Sequence, residues 1–181
     1  MEVTETSLPG VLLLKPRVFV DNRGFFLESY RASRYREVGI GCEFVQDNHS
    51  RSSRGSLRGM HFQSTPGQAK LIRVATGVIF DVAVDIRPDS PTFGRWVGAY
   101  LDAVEHHQLF IPVGFAHGFC VVSETADVLY KASNPYDAAT ECGFRWNDPE
   151  VGIEWPVDDP ILSARDQTAE AFADYRKRVG R

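Results

Sequence analysis

No stretch of the 181 residues stays apolar for the ~18 positions that a bilayer span requires. Cysteine is scarce: Cys42, Cys120 and Cys142 are the three, none in a CxxC pair. That excludes a disulfide framework and fits a reduced, cytoplasmic setting. The opening Met-Glu-Val-Thr-Glu is acidic and has no apolar leader core, so no secretory signal is expected. There is no Walker loop, no GxGxxG and no GxSxG, which leaves nucleotide hydrolysis, dinucleotide binding and α/β-hydrolase chemistry without support. A histidine pair at i, i+2 is also missing. His61 is followed by Phe62 and Gln63, and His106 and His107 are adjacent in a segment that reads as a turn. Metal catalysis therefore has little to stand on, and no metal or other cofactor is expected. An excess of positive charge is absent too: the net charge is −4, so neither a nucleic acid nor a membrane is an expected partner.

Hydrophobic residues make up 43% and charged residues 24%, as in an ordinary globule, and no repeat or linker divides residues 1–181. One domain over that whole range is expected. The charge is uneven. Residues 15–58 hold nine Lys/Arg against five Asp/Glu, a net +4 that leaves −8 elsewhere. Arginine grips phosphate with two parallel donors, so this third of the chain suits a small anionic ligand as well as it suits a mixed surface.

Most of the chain reads as short strands between turn signals: 18–20, 25–29, 44–46, 56–63, 70–75, 78–86, 96–101, 108–111, 118–122, 128–132 and 143–146. The clearest is 78–86. Val78, Phe80, Val82, Val84 and Ile86 share one face, and Asp81, Ala83 and Asp85 the other. The second face suits a wet cavity or a solvated surface. Helices are expected over 32–37 and from an N-cap at Thr168 to about 179. So many short strands argue for a β-sandwich or barrel.

Several residues could carry chemistry, and each also has a plain structural reading. His61 lies in Arg58-Gly-Met-His-Phe-Gln63, denser in polar groups than a core strand should be. A bulge at Gly59 would turn Arg58 and His61 to one side. Tyr130 could be a wall aromatic. Lys70 could be a snorkelling strand end or a buried cation beside a carboxylate. Asp166 closes Ser163-Ala-Arg-Asp, a capping-box pattern. His117, flanked by Gly114 and Gly118, reads as a tight turn with close backbone approach.

In order, Phe44-Val-Gln-Asp-Asn-His-Ser50, Leu57-Arg-Gly-Met-His-Phe-Gln63, Phe80-Asp-Val-Ala-Val-Asp-Ile-Arg87, Ile111-Pro-Val-Gly-Phe-Ala-His-Gly-Phe119 and Trp146-Asn-Asp-Pro149 closely resemble the dTDP-4-dehydrorhamnose 3,5-epimerase family. The resemblance runs from Asp21 to Asp166. It implies an all-β, cupin-type jelly-roll barrel (a double-stranded β-helix) with a few short helices, one at the C-terminus. It implies a homodimer without metal or cofactor. The implied substrate is a dTDP-linked 4-keto-6-deoxysugar, inverted at C3 and C5; a relative acting at C3 or C5 alone is the alternative. On matching positions, His61 corresponds to the general base, Tyr130 to the general acid and Asp166 to the carboxylate orienting the base. Lys70 corresponds to the cation near the C4 oxygen. Arg23, Glu28, Gln46, Asn48, Arg58, His117, Glu141 and Arg165 correspond to substrate-holding positions, and Tyr136 to the aromatic that stacks on thymine. Arg165 stands where some members have lysine, and Met60 where leucine is commoner. Asp81, on the cavity-like face of its strand, is expected to pair with Lys70. Arg23 and Glu28 are expected to serve the neighbouring subunit's site.

Overall fold

The computed structural model describes residues 1–180. The strands are β1 (Glu2–Glu5), β2 (Leu12–Lys15), β3 (Val18–Asp21), β4 (Gly24–Leu27), β5 (Gln46–Ser53), β6 (Leu57–Gln63), β7 (Lys70–Thr76), β8 (Val78–Asp85), β9 (Trp96–Asp102), β10 (Gln108–Ile111), β11 (Phe115–Val121), β12 (Thr125–Ala132) and β13 (Glu141–Gly143). The helices are short: α1 (Ala32–Glu37), α2 (Ala164–Gln167) and α3 (Phe172–Arg178). One sheet has the order β1-β2-β10-β7-β12-β5, the other β13-β6-β11-β8-β9, and β3 and β4 form a separate hairpin. Neighbours such as β2 and β10, or β6 and β11, are far apart in sequence and antiparallel, which is the jelly-roll arrangement.

The two sheets pack face to face. Ile72, Val74, Leu109, Ile111 and Val128 from the first meet Ile79, Ala83, Leu101, Phe115 and Phe119 from the second, all buried. Each fully buried aliphatic chain here contributes ~1.5–3 kcal/mol. The outer face of the five-stranded sheet is also covered. Phe80, Val82 and Val84 pack under Phe144 and under Phe172 and Tyr175 of α3. On the outer face of the six-stranded sheet, Leu14, Leu71 and Phe110 pack against Tyr35 of α1 and Ile40. Strand β8 is thus buried on both faces. Asp81 and Asp85 are 0% exposed, which settles its second face as interior and not surface.

Other expectations change in detail. The segment 44–46 is only the doorstep of β5, which runs on through Gln-Asp-Asn-His-Ser-Arg-Ser-Ser. Its polar residues conceal the strand because its inward face looks into a cavity and not a core. His117 is not in a turn but in the middle of β11, paired with His61. The close backbone approach is real: a Cβ on Gly59 would come within 2.5 Å of the Gly118 Cα, and Gly59 has φ +133°. A bulge at Gly59, which the sequence left open, is present too, since His117 pairs with His61 but Phe119 with Arg58. Thr168 ends α2 and does not start a helix; α3 begins after Ala171. Strands β1 and β2 were not expected. The short β1 pairs only along β2, and four exposed residues carry no hydrophobic pattern.

Candidate active site

Between the sheets lies a cavity of about 430 Å³ lined by Ser50, Arg58, His61, Lys70, His117, Phe119, Tyr130, Arg165 and Asp166, among others. Strand β6 brings Arg58 and His61 to it because the bulge at Gly59 absorbs one residue of register. From the facing sheet, β12 supplies Tyr130 and β7 Lys70; Tyr130 lies opposite Asn48 of β5.

The His61 Nε2 is 2.6 Å from Asp166 Oδ1. Asp166 is 4% exposed and sits in the first turn of α2. Its backbone N–H donates to Ser163 Oγ at 3.1 Å, half of the expected capping box. The carboxylate itself turns away to His61. Burial pushes the Asp166 carboxyl up, but the His61 hydrogen bond, Ser163 and Arg165 outweigh this and hold it below its ordinary value. An ionised carboxylate only accepts, so the imidazole proton resides on Nε2 and Nδ1 is the basic nitrogen.

Burial pulls the Lys70 ammonium down to about 8, against the charges of Asp81 and Glu141, which raise it. Burial raises the Tyr130 phenol, so it holds its proton at neutral pH. Asp81 does not form the expected ion pair with Lys70. Its Oδ1 accepts from His117 Nε2 at 2.6 Å, because β8 and β11 are neighbours and place the two side chains on one face.

A second group forms a chain along the cavity's edge. Tyr136 donates its hydroxyl to Glu141 Oε2 at 2.8 Å and its backbone N–H to Gln46 Oε1 at 2.8 Å. Gln46 in turn donates to Asn48 Oδ1, and Arg165 pairs with Glu141. The Tyr136 ring is 57% exposed, available to stack. Arg58 Nε donates to Ser52 Oγ at 3.1 Å. Arg23 and Glu28 are not brought to this cavity. Arg23 pairs with Asp21 at the tip of the β3–β4 hairpin, and Glu28 with Arg31 and Arg34. Two participants escaped sequence reasoning. Ser50 lines the cavity with a buried, unpartnered hydroxyl, and Phe119 forms part of its wall. Alternation along β5 from Gln46 and Asn48 was the signal that could have found Ser50.

Among the described residues, no group of three or more His, Cys, Asp or Glu could hold a metal ion, and no helix is long and apolar enough to cross a membrane. The arrangement offers a carboxylate-held imidazole, a buried cation and a protonated phenol around one void. That set can take a proton from carbon next to a carbonyl, balance the resulting oxyanion and return a proton.

Residues 5–174 match the family model of dTDP-4-dehydrorhamnose 3,5-epimerase. The chain belongs to the dTDP-4-dehydrorhamnose 3,5-epimerase family. It is 52% identical over 176 residues to the dTDP-4-dehydrorhamnose 3,5-epimerase of Shigella flexneri, covering 96% of this chain and 97% of that one. It is 42% identical to a dTDP-4-dehydrorhamnose 3-epimerase of Streptomyces niveus, covering 97% and 86%. In structure it is similar to a dTDP-6-deoxy-D-glucose-3,5-epimerase of Legionella pneumophila solved in complex with dTDP-4-keto-L-rhamnose. The TM-score is 0.95 and the identity 43%, with 98% and 96% of the two chains covered. The jelly roll is the fold that this chain shares with that structure.

Proposed function

We propose that this chain converts dTDP-4-dehydro-6-deoxy-D-glucose to dTDP-4-dehydro-L-rhamnose by inverting C3 and C5, in dTDP-L-rhamnose biosynthesis. The observation that carries the reading is the His61–Asp166 pair at 2.6 Å on the cavity that Lys70 and Tyr130 also line. Protons at C3 and C5 are acidic because both carbons flank the C4 ketone. His61 takes one through Nδ1 and becomes an imidazolium that the Asp166 carboxylate stabilises. Negative charge gathers on O4 as an enolate, and the Lys70 ammonium supplies fixed positive charge there. Tyr130, from the opposite sheet, delivers a proton to the other face of the same carbon. No electron leaves the sugar, so the reaction needs no redox cofactor and, in this reading, no metal.

Arg58 and the basic first third of the chain suit the diphosphate, with Gln46, Asn48, His117, Glu141 and Arg165 holding the sugar nucleotide and Tyr136 stacking on thymine. The protein acts as a single domain, in the cytoplasm, as a homodimer in which Arg23 and Glu28 complete the neighbour's site. Phe19, Val20, Phe25 and Phe26 of the β3–β4 hairpin are each at least half exposed, which supports a partner on that hairpin. Neither a nucleic acid nor a membrane is a partner. The Streptomyces niveus relative, a 3-epimerase, keeps inversion at C3 alone in view as a second reading. Proton NMR in D2O with dTDP-4-dehydro-6-deoxy-D-glucose decides between them. Deuterium at both carbons with the L-rhamno product supports the 3,5 reading. Deuterium at C3 alone selects the second, and no incorporation at either carbon overturns both.

A further inference from the structure

Among the described residues, few buried side-chain oxygens lack a hydrogen-bond partner, and Asp81 Oδ2 is one of them. It belongs to a side chain that is 0% exposed, in the middle of β8. A buried carboxylate oxygen without a donor is costly, and a fold keeps one only where something compensates it. The other oxygen is committed to His117. Lys70, across the cavity on β7, forms no ion pair within 4.0 Å with any described residue, yet the charge of Asp81 acts on it more strongly than any other. One carboxylate thus stands behind two groups that line the cavity, bonded to one and acting on the other by its charge.

We infer that Asp81 is a positioning residue for the epimerisation: it orients His117 through Oδ1 and, through its unclaimed Oδ2, keeps the buried Lys70 ammonium charged opposite the developing enolate. The inference rests on the proposed role of Lys70 at O4.

The chemistry has two parts. As acceptor of the Nε2 proton, Asp81 fixes the tautomer of His117, and burial holds that ring below its ordinary pKa and so neutral. His117 therefore offers Nδ1 as an acceptor, suited to a sugar hydroxyl and not to a phosphate oxygen. The second part concerns charge. Burial has already pulled Lys70 down to about 8, and among the groups around it Asp81 and Glu141 oppose this while Arg165 adds to it. The imidazoles of His61 and His117 and the Arg58 guanidinium line the same space. Without the Asp81 charge the ammonium would lose its proton at lower pH, and a neutral amine stabilises an enolate poorly.

The test is the pH profile of solvent deuterium exchange and product formation for Asp81→Asn, which keeps the shape and loses the charge. The alkaline half-point should move down by about one pH unit or more, and the deficit against wild type should be about eightfold or more greater at pH 9 than at pH 6. Asp81→Glu should restore the alkaline limb even where its rate stays low. The chain has four lysines, Lys15, Lys70, Lys131 and Lys177, so carbon-13 labelling gives a direct second readout. The Lys70 signal should titrate at lower pH in Asp81→Asn while the other three stay put. Should Asp81→Asn not fold, Asp81→Ser is read in the same way. A uniform loss at every pH, or an unmoved Lys70 titration, overturns the inference. Wild type that fails to turn over dTDP-4-dehydro-6-deoxy-D-glucose overturns the underlying reading instead.

Discussion

His61 and Tyr130 reach one cavity from opposite sheets, so their contributions are separable. His61→Asn should abolish both solvent exchange and product, a loss of about 10²–10⁴-fold or more, because no enolate forms. Tyr130→Phe should leave deprotonation intact and lose the donor on the far face. His61 can then return a solvent deuteron to the face it came from, and exchange should outrun inversion. Equal loss of exchange and product in a folded Tyr130→Phe variant would contradict the division of roles. Taken singly these residues have plain structural readings, Tyr130 as a wall aromatic in a strand that favours such side chains and Lys70 as a snorkelling strand end, and their expected roles come from the resemblance of the ordered motifs. The partner of Asp81 was not legible. Lys70 and His117 both lie within reach of a carboxylate on β8, and only the β8–β11 register shows that His117 takes its proton-accepting oxygen.

At the scale of elements, α2 does much for its four residues, holding Asp166 behind His61 and placing Arg165 on the cavity against Glu141. Ser163→Ala removes the hydroxyl that accepts from the Asp166 backbone N–H. It should cost about 1 kcal/mol of stability. The larger signal should be in kcat, since the carboxylate behind His61 loses its anchor; a drop in thermal stability with unchanged kcat would refute this. Gly59→Ala should be severe. The substituted residue would need φ +133° and would meet the Gly118 Cα and the His117 carbonyl. A loss of about 3 kcal/mol, or roughly 6–12 °C in melting temperature, is expected by calorimetry. Gly59 in Arg58-Gly59-Met60-His61 only raised the question of a bulge, because glycine inside a strand often marks one; the β6–β11 register answers it. The extent of β5 was not readable: alternation of polar with polar leaves no hydrophobic period to see. The C-terminal helix was half legible. Thr168 has the chemistry of an N-cap, but Ser163 caps first and the chain needs a break before Phe172 can pack on Phe144.

For the molecule as a whole, two expectations concern assembly and acid. Light scattering should give a dimer, and Phe26→Asp, which charges a 70% exposed ring on the β3–β4 hairpin, should give a folded monomer. If Arg23 serves the neighbour, Arg23→Ala and His61→Asn should each be poorly active alone. Mixed and allowed to exchange subunits, they should recover about a quarter of wild-type activity, through hybrid dimers with one intact site. No recovery from two poorly active parents would place Arg23 in its own subunit's site, and a fully active Arg23→Ala would place it outside the site. Acid stability turns on Asp85. Burial raises its carboxyl, but Arg87, Ser90 and Thr92 donate to it and bring it down to about 2. A carboxyl lower in the folded chain than unfolded stabilises above the unfolded value and loses that contribution as pH falls through the folded one. Wild type should therefore weaken between about pH 4 and pH 2, and Asp85→Asn should be less stable at pH 7 with a flatter acid limb in urea titrations. A β-sandwich or barrel was visible in strand count and spacing, and the jelly roll came from the resemblance to the family. Which strands pair was not visible, since pairs such as β2 with β10 join segments whose patterns do not single each other out.

The contact of Gly59 with Gly118 bears on how such an enzyme could be remade for other sugars. Where two backbones touch with no side chain between them, the floor beneath His61 and His117 has no adjustable part, and mutation there changes the scaffold before it changes the guest. The edge is different: Gln46, Tyr136, Glu141 and Arg165 are joined side chain to side chain or to a single amide, and each can be exchanged without moving a strand. Directed evolution toward bulkier or differently substituted hexoses should therefore accumulate its changes at that edge and leave the floor untouched.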